Sequence, residues 1–477
     1  MTAIATTASA VPSPEPGLPG TGFVSRRFHF VGVGGAGMSG LARLLRGLGA
    51  NVTGSDSTPG GVLDRLVEEG FEVWSGCNPE RIHGRDGYVV RSAAVPSSDG
   101  EVQQCVRAGF TSLLYAEAVG RLSEGRRTLA IAGTHGKTTT TGLTVAALRG
   151  AGLDPSHLIG GEVPELGGNG RGGQGAEFVV EACEFNRSFH NLRPYAAAIL
   201  NVDHDHFDCY PSTDELVAAF AGYLQRVRPG GAALLEESVP KGVLADLRQD
   251  VRILTVGAGL WADVRAVDVR DDFGRFSFVP ILFGQRLPRL QLALSGRHNV
   301  HNALFALGLA HLAGADPVMA GRGIASFAGV RRRFELHKGP AGGELVLDYA
   351  HHPAEIRAVL HAARRRFPGR RILVVFQPHQ FQRTRQLLLE FAEALALADA
   401  SLVVDIYGAR ESAEIRASVS AMDLVVAVRE HGGRCEPGGA VAGLPQRVQE
   451  GRGRDELVLL LGAGDVDLAM GGILAHL

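Results

Sequence analysis

The segment Thr128 to Gly142, TLAIAGTHGKTTTTG, gathers residue types that handle phosphate. An apolar run, Leu129 to Ala132, breaks into Gly133-Thr134-His135-Gly136-Lys137-Thr138-Thr139 and then into a helix-forming stretch. Glycines let the backbone approach phosphate oxygens, while the unpaired N–H groups and dipole of a helix start supply positive potential. Lys137 adds a mobile cation, and Thr138 a hydroxyl where a phosphate-bridging Mg²⁺ sits. The spacing is G-x-x-G-K-T, because Ile131 stands where the general P-loop pattern has its first glycine. The plain alternative, a glycine turn with a surface lysine, requires strand, glycines, Lys and Thr to coincide by chance.

Two later strand ends carry acids and histidines. Glu177 to Val180 runs into Glu181-Ala-Cys183-Glu184-Phe-Asn186-Arg187-Ser188, and Ala196 to Leu200 into Asn201-Val-Asp203-His204-Asp205-His206-Phe-Asp208. Mg²⁺ keeps several waters and takes only one or two protein carboxylates, so these two strand ends, just after the Lys137-Thr138 turn, are where its ligands belong. A zinc site on His204 and His206 finds no H-E-x-x-H and no cysteine pair to support it. Solvated loop acids are the structural alternative.

A second glycine turn lies near the start: RRFHFVGV ends in Gly32-Val-Gly34-Gly35-Ala36-Gly37-Met38, a helical segment follows, and Asn51 to Gly54 ends at Ser55-Asp56. Strand, glycine turn, helix, strand and acid follow the dinucleotide fingerprint in outline, but such a turn binds any diphosphate, a nucleotide sugar included. Ser92-Ala93 stand at a further strand end of the same unit. Downstream, Asn299 and Asn302 lie three apart on the first turn of a helix, where amides hold a base or simply cap the helix. Arg331-Arg332-Arg333 form a basic cluster at a linker, where a phosphate-facing role competes with a solvated face. The last third has strands ending in Asp348-Tyr349-Ala-His351-His352, Phe376-Gln-Pro-His379-Gln380-Phe-Gln-Arg383, Asp405-Ile-Tyr407 and Gly462-Ala-Gly464-Asp465, one rim of one sheet.

The elements that position these residues alternate strand and helix throughout. The chain of 477 residues is long enough for about three domains at roughly 150 residues each. The expected division is a disordered Ala/Thr/Pro-rich tail over 1–25, a Rossmann-like domain over 26–126, a P-loop domain over 127–335 and a second Rossmann-like α/β domain over 336–477. Composition is 45% apolar and 21% charged with a formal net charge of −2, which argues against a nucleic-acid-binding surface. Five scattered cysteines without a C-x-x-C read as cytosolic thiols. No apolar run approaches the roughly 18 residues needed to span a membrane.

GVGGAGMSGLA, AGTHGKTTTT, EACEFNRSF, NVDHDHFDCY, GRHNVHNAL, RRRFE, DYAHHPAEI, FQPHQFQRT and LGAGD resemble, in order, the motifs of the Mur ligases of peptidoglycan synthesis, from about residue 26 to the C-terminus. The resemblance implies a three-domain ligase that uses ATP and Mg²⁺ to join L-alanine to the lactyl carboxylate of UDP-N-acetylmuramate through an acyl phosphate. The first domain would hold the UDP-sugar through Gly34, Gly35, Ala36, Gly37, Met38, Ser55, Asp56, Ser92 and Ala93. The second would hold ATP through Gly133 to Thr139, Asn299 and Arg333, and the third the amino acid through Tyr349, His351, His352 and Arg383. Lys137, Glu181, His206, Asn299, Asn302, Arg333 and Asp348 would form the catalytic set, and Thr138, Glu181 and His206 the candidate Mg²⁺ set. This chain departs from the family at Cys183, where an Asp is usual, at Asp203 in place of Glu, and at Gln380 in place of Arg, which shifts an expected contact to Arg383. Some relatives use a carbamylated lysine, yet no Lys occurs between Lys137 and Lys241, so none is expected to be needed. Two other readings stand beside this one: a ligase that recycles a murein peptide onto the same sugar nucleotide, whose first turn looks like G-x-C-G-T-F-M, and an NAD-dependent dehydrogenase drawn from the first domain alone.

Overall fold

The computed structural model describes residues 25–82, 86–203, 209–408, 411–451, 453 and 455–477. The tail expected over residues 1–25 lies outside the described residues except for Ser25, and so does His206 with its neighbours 204–208.

Three sheets succeed one another. The first is parallel, with strands β1 (Arg27–Val31), β2 (Asn51–Asp56), β3 (Glu72–Ser75), β4 (Gly87–Arg91) and β5 (Phe110–Leu114) in the order β3-β2-β1-β4-β5. Its helices are α1 (Ala36–Gly47), α2 (Val62–Glu68), α3 (Gly100–Arg107) and α4 (Tyr115–Glu124). Order reverses at β1, so the turn from β1 into α1 opens at a switch point, where ligands of such sheets bind.

The central sheet has β6 (Arg127–Ala132) near its middle, between β9 (Glu177–Glu181) and β10 (Ala196–Ile199), both parallel to it. Leu129 to Ala132 are fully buried, the continuous apolar run of a strand covered on both faces. The strand feeds α5 (Lys137–Gly150) through the glycine turn. A small antiparallel pair, β7 (Ser156–Leu158) and β8 (Gly170–Arg171), extends one edge. After α6 (Thr213–Leu224), the other edge grows through β11 (Ala232–Glu236), β12 (Arg252–Gly257), β13 (Val264–Asp272), β14 (Arg275–Leu282), β15 (Gln285–Arg286) and β16 (Leu290–Ser295). Helices α7 (His298–Leu312) and α8 (Pro317–Ser326) pack with α5 on one face.

The third sheet has the order β17-β18-β22-β19-β20-β21, built from β17 (Glu335–Lys338), β18 (Glu344–Asp348), β19 (Ile372–Phe376), β20 (Ala400–Val404), β21 (Cys435–Gly439) and β22 (Leu457–Leu461). Only β17 runs antiparallel. Its helices are α9 (Pro353–Arg366), α10 (Phe381–Gln386), α11 (Leu388–Leu395), α12 (Ala413–Arg416), α13 (Ala421–Glu430), α14 (Leu444–Gly451) and α15 (Met470–Leu474). The start of α9 is written locally: His352 caps it, Pro353 takes the first turn, and Glu355 reaches back to the His352 N–H.

The apolar cores divide unevenly. One continuous core contains Phe28, Met38 and Leu41 of the first unit together with Phe178, Phe189 and Tyr223 of the central one. The third sheet has its own two cores, one on each face. The first two units are therefore welded by buried apolar surface, whereas the third keeps separate cores and meets the central unit through polar contacts such as His135–Glu355 and Asp271–Arg365. Among the described residues no helix is long and apolar enough to cross a membrane.

The glycine-rich stretch Gly160 to Gly175 reads as surface in the sequence, yet Gly170, Gly172 and Gly173 are buried. They pack against α1 and the Asp154–Pro155 backbone at distances that exclude a Cβ. Helix α7 is buried nearly all round.

Candidate functional site

The turn after β6 is shaped for close backbone approach. Gly133 and Gly136 adopt positive φ, +142° and +83°, and a Cβ on Gly136 would stand 2.9 Å from Asn302 Oδ1. Asn201, at the end of β10, holds the turn from outside: its Oδ1 accepts from the His135 N–H at 2.8 Å and its Nδ2 donates to the His135 carbonyl at 3.1 Å. Lys137 Nζ donates to the carbonyls of Gly133 and Thr134 and to Glu184 Oε1 at 2.9 Å. Burial alone would lower this ammonium, but the charge of Glu184, then that of Glu181, outweighs it and holds it above the ordinary lysine range.

Thr138 Oγ1 donates to Glu181 Oε2 at 2.9 Å, and the Gly160 N–H donates to the same oxygen at 2.9 Å. A hydroxyl and a carboxylate side by side at the head of the helix are an all-oxygen donor pair suited to Mg²⁺. The third expected ligand, His206, lies outside the described residues. Among the described residues no group of three His, Cys, Asp or Glu side chains is gathered as a metal cage. Cys183 opens toward this cleft, yet the enclosing protein, then the charge of Glu184, push its thiol up to about 12. It stays a neutral thiol.

Two adjoining cavities share His135, Gly136, Thr138, Val330, Arg333 and Glu355. One, about 340 Å³, runs between α7 and the third domain past Leu294, His298, Asn299, Asn302 and Phe334. Its two asparagines are ordered by their own bonds, Asn302 Nδ2 to Asn299 Oδ1 at 2.9 Å and Asn299 Nδ2 to Ser295 O at 2.7 Å. Apolar walls with a few fixed amides suit a purine base. The other, about 480 Å³, reaches from Lys137, Thr138, Glu181 and Cys183 to Ala36 of the first domain and to Tyr349, His351 and Ala463 of the third. Residues of all three units meet there.

The linker between the last two units is held in unusual backbone geometry, Arg332 at φ +59° and Phe334 at φ +50°. Asp348 accepts from the Phe334 and Ala350 N–H groups, both at 2.7 Å. Burial outweighs the nearby Arg333 and pushes this carboxyl up to about 6. Asp348 thus fastens the linker to β18. Arg332 donates to the Gly462 and Gly464 carbonyls, and the Arg332 and Arg333 guanidinium groups lie over the Tyr349 ring.

Glu355, which the sequence reading passed over, is the junction's central anion. Its Oε1 lies 3.2 Å from His135 Nδ1 and 3.9 Å from Arg333, and its Oε2 accepts from the His351 N–H at 3.0 Å. Burial would raise this carboxyl, but His351, His135 and Arg333 together hold it well below the usual carboxylate range. His135 is correspondingly raised: burial opposes this, and the bond to Glu355 overrides it. The H-x-x-E spacing in HHPAE was the available signal for Glu355, and the strand-end position was the signal for Asn201.

The other expected residues separate into those that face the cavities and those that support them. Thr134 exchanges bonds with the Asp203 backbone. His352 lies 4.9 Å from the His135 ring. His351 makes an edge contact with His379, which stacks on Tyr407. Arg383 is 4% exposed, with its guanidinium on the His379 carbonyl, so it lies behind that rim. In the first domain, Gly34 N–H donates to Asp56 Oδ2 at 2.8 Å and Gly37 packs on Tyr115. Ser55 turns its hydroxyl inward to the buried Glu101, and Met38 packs in the core. A Ser92 side chain faces Gly32, and Ala93 is exposed.

Three consecutive segments match family models: residues 27–127 the Mur ligase family catalytic domain, 131–310 the Mur ligase middle domain, and 332–464 the Mur ligase glutamate ligase domain. A UDP-N-acetylmuramate–L-alanine ligase of Kineococcus radiotolerans is 40% identical over 456 residues, covering 92% of this chain and 94% of the relative. One of Chromobacterium violaceum is 38% identical over 94% of this chain and 98% of its own. Among solved structures, a UDP-N-acetylmuramate–alanine ligase of Thermotoga maritima superposes with a TM-score of 0.77 at 24% identity, over 94% of this chain and 98% of that one. A murein peptide ligase of Psychrobacter arcticus gives 0.69 at 22% identity with the same coverage, so at this distance the likeness is one of fold.

Proposed function

The chain belongs to the Mur ligase family, and from that premise we propose that it joins L-alanine to the lactyl carboxylate of UDP-N-acetylmuramate, converting ATP to ADP and phosphate, in peptidoglycan synthesis. The observation that carries this reading is the cavity in which Ala36 of the diphosphate turn, Lys137 and Glu181 of the P-loop domain, and Tyr349 and His351 of the third domain meet. A carboxylate and an ammonium do not condense unaided, so three reactants must meet at one point. This cavity is walled by one domain for each.

In the proposed mechanism the amides at the head of α5 and the Lys137 ammonium face the phosphates, and Asn299 and Asn302 orient the base. Thr138 and Glu181, with His206, would hold Mg²⁺, which supplies further neutralisation of phosphate charge. Lys137 stabilises the charge of the transferring phosphoryl group as the lactyl carboxylate becomes an acyl phosphate. The amino acid enters on the Tyr349–His352 rim. His351 or His352 takes the proton its ammonium must lose, and Arg383, through the His379 side of the rim, favours its carboxylate. Asp348 holds the linker that brings Arg333 to the phosphates. The protein is expected to work in the cytoplasm, where its nucleotide substrates are.

A peptide-recycling ligase shares the fold, but the first turn here reads GVGGAGM, and relatives at 37–40% identity over most of the chain carry the L-alanine ligase name. The test is phosphate release from ATP with UDP-N-acetylmuramate, supplying L-alanine, glycine, L-serine or no amino acid in turn, with nicotinamide absorbance followed in parallel. Phosphate release that requires L-alanine, without absorbance change, is expected. A nicotinamide signal without phosphate release overturns the reading.

A further inference from the structure

The helix that follows the diphosphate turn docks on the central domain by one face. On α1, Ala36, Gly40, Arg43 and Gly47 are spaced by three and four residues and share that face. Opposite lies the β7–β8 hairpin. A Cβ on Gly170 would stand 2.0 Å from the Gly40 carbonyl oxygen, and one on Gly172 2.7 Å from the Gly47 carbonyl carbon. Backbone meets backbone along the seam.

Asn169, 4% exposed, is buried in this seam. Its Nδ2 donates to the Ala36 carbonyl at 2.6 Å, and its Oδ1 accepts from Arg43 Nη1 at 2.8 Å. A carbonyl on one side and a guanidinium on the other permit only this orientation of the amide. Both ends of one side chain are therefore taken by points about two turns apart on α1, which fixes the helix in rotation and in translation. Arg43 is itself clamped by both oxygens of Glu69 at 2.7 Å.

The same hairpin leads into the reaction cavity. The Ile159 N–H donates to the Asn169 carbonyl at 2.8 Å, and the next residue, Gly160, donates to Glu181 Oε2. A Cβ on Gly161 would stand 3.2 Å from Thr138 Cγ2. Asn169 thus joins the first turn of α1, whose Ala36 lines the cavity, to the Thr138–Glu181 pair.

We propose that Asn169 is a positioning residue for phosphoryl transfer, setting the register between the sugar-nucleotide domain and the P-loop domain. This rests on the ligase reading above. The attacking carboxylate is delivered by one domain and the γ-phosphate by the other, and reacting atoms must come within about 3–3.5 Å, so a misplacement of about 1 Å costs roughly a hundredfold in rate. Each substrate draws its binding groups largely from its own domain, so affinity survives while turnover falls.

The test measures kcat for phosphate release, together with equilibrium dissociation constants for UDP-N-acetylmuramate and ATP separately, in wild type, Asn169→Ala and Asn169→Asp. The aspartate is isosteric and keeps the Arg43 contact, but it has no hydrogen to give the Ala36 carbonyl. Both variants are expected to lose about ten- to a hundredfold in kcat, with both dissociation constants within about threefold of wild type. If the alanine variant does not fold, the aspartate variant decides. An Asn169→Asp protein with wild-type kcat, or one whose loss is matched by weakened binding of both nucleotides, overturns the proposal while the ligase reading stands. A wild-type protein that releases no phosphate with any acceptor overturns the reading and the proposal together.

Discussion

Lys137 is the side chain on which the phosphate-handling argument turns, since it is the cation at the head of α5 and is held ready by Glu184 and two carbonyls of its own loop. Lys137→Ala is expected to lower kcat by at least about a hundredfold while leaving UDP-N-acetylmuramate affinity unchanged, because the two belong to different domains. Single-turnover phosphate release and binary titration measure the two effects separately. Glu181→Gln keeps the shape and the Thr138 contact but removes a negative charge, so the Mg²⁺ concentration for half-maximal activity is expected to rise steeply; an unchanged requirement would transfer the ligand role to Glu184 or another acid. The turn that presents Lys137 and Thr138 was legible because its shape is local: strand, glycines, Lys and Thr in one short segment dictate one backbone conformation. Asn169 and Glu355 were not, because their partners Ala36 and His135 lie 133 and 220 residues away in the chain. Arg383 was singled out by its motif, but its burial behind His379 follows from packing no motif records.

At the scale of elements, the strand–helix alternation was readable from apolar runs and glycine turns, and the ends of β1, β6, β9, β10 and β18 all deliver residues named in advance. The β7–β8 hairpin was not readable, since a glycine carries no sign of burial and Gly160 to Gly175 looks like a solvated loop until α1 is laid on it. The two glycine turns make contrasting predictions. Gly35 has φ −65°, and a Cβ there would meet nothing closer than 3.7 Å, so Gly35→Ala is expected to fold with unchanged melting temperature. Any loss of sugar-nucleotide affinity then reports ligand contact, and unchanged affinity would overturn the assignment of this turn. Gly133 combines φ +142° with Leu200 Cβ only 2.9 Å from an added Cβ, so Gly133→Ala is expected to lower the melting temperature itself.

Across the whole molecule, the order of motifs announced three units, but not that the first two share one apolar core while the third is joined by charge; apolar patterning says that a face is buried and not against what. The joint makes a pH prediction. His135, raised above its ordinary value, contributes stability present below about pH 6.5 and lost as pH rises through its folded value, and Glu355, depressed, contributes stability present above about pH 4.5 and lost as pH falls through its own. Asp203, Lys137, His351 and Arg333 act on the same pair. The contact is therefore expected to be fully formed between about pH 4.5 and 6.5 and to loosen above that. Hydrogen exchange at the start of α9 should quicken from pH 6 to 9 beyond the intrinsic rate in wild type, and lose that excess in Glu355→Gln. The central claim, that one cavity brings a sugar-nucleotide carboxylate, a γ-phosphate and an amino acid of one-methyl size together, is tested most directly by competition at the third position. With ATP, Mg²⁺ and UDP-N-acetylmuramate held constant, kcat/KM is measured for L-alanine, glycine, L-serine, D-glutamate and the L-alanyl-γ-D-glutamyl-meso-diaminopimelate tripeptide. L-Alanine is expected to lead, with glycine and L-serine slower by about 10- to 200-fold and the other two inactive. A tripeptide or D-glutamate that outcompetes L-alanine would contradict the account.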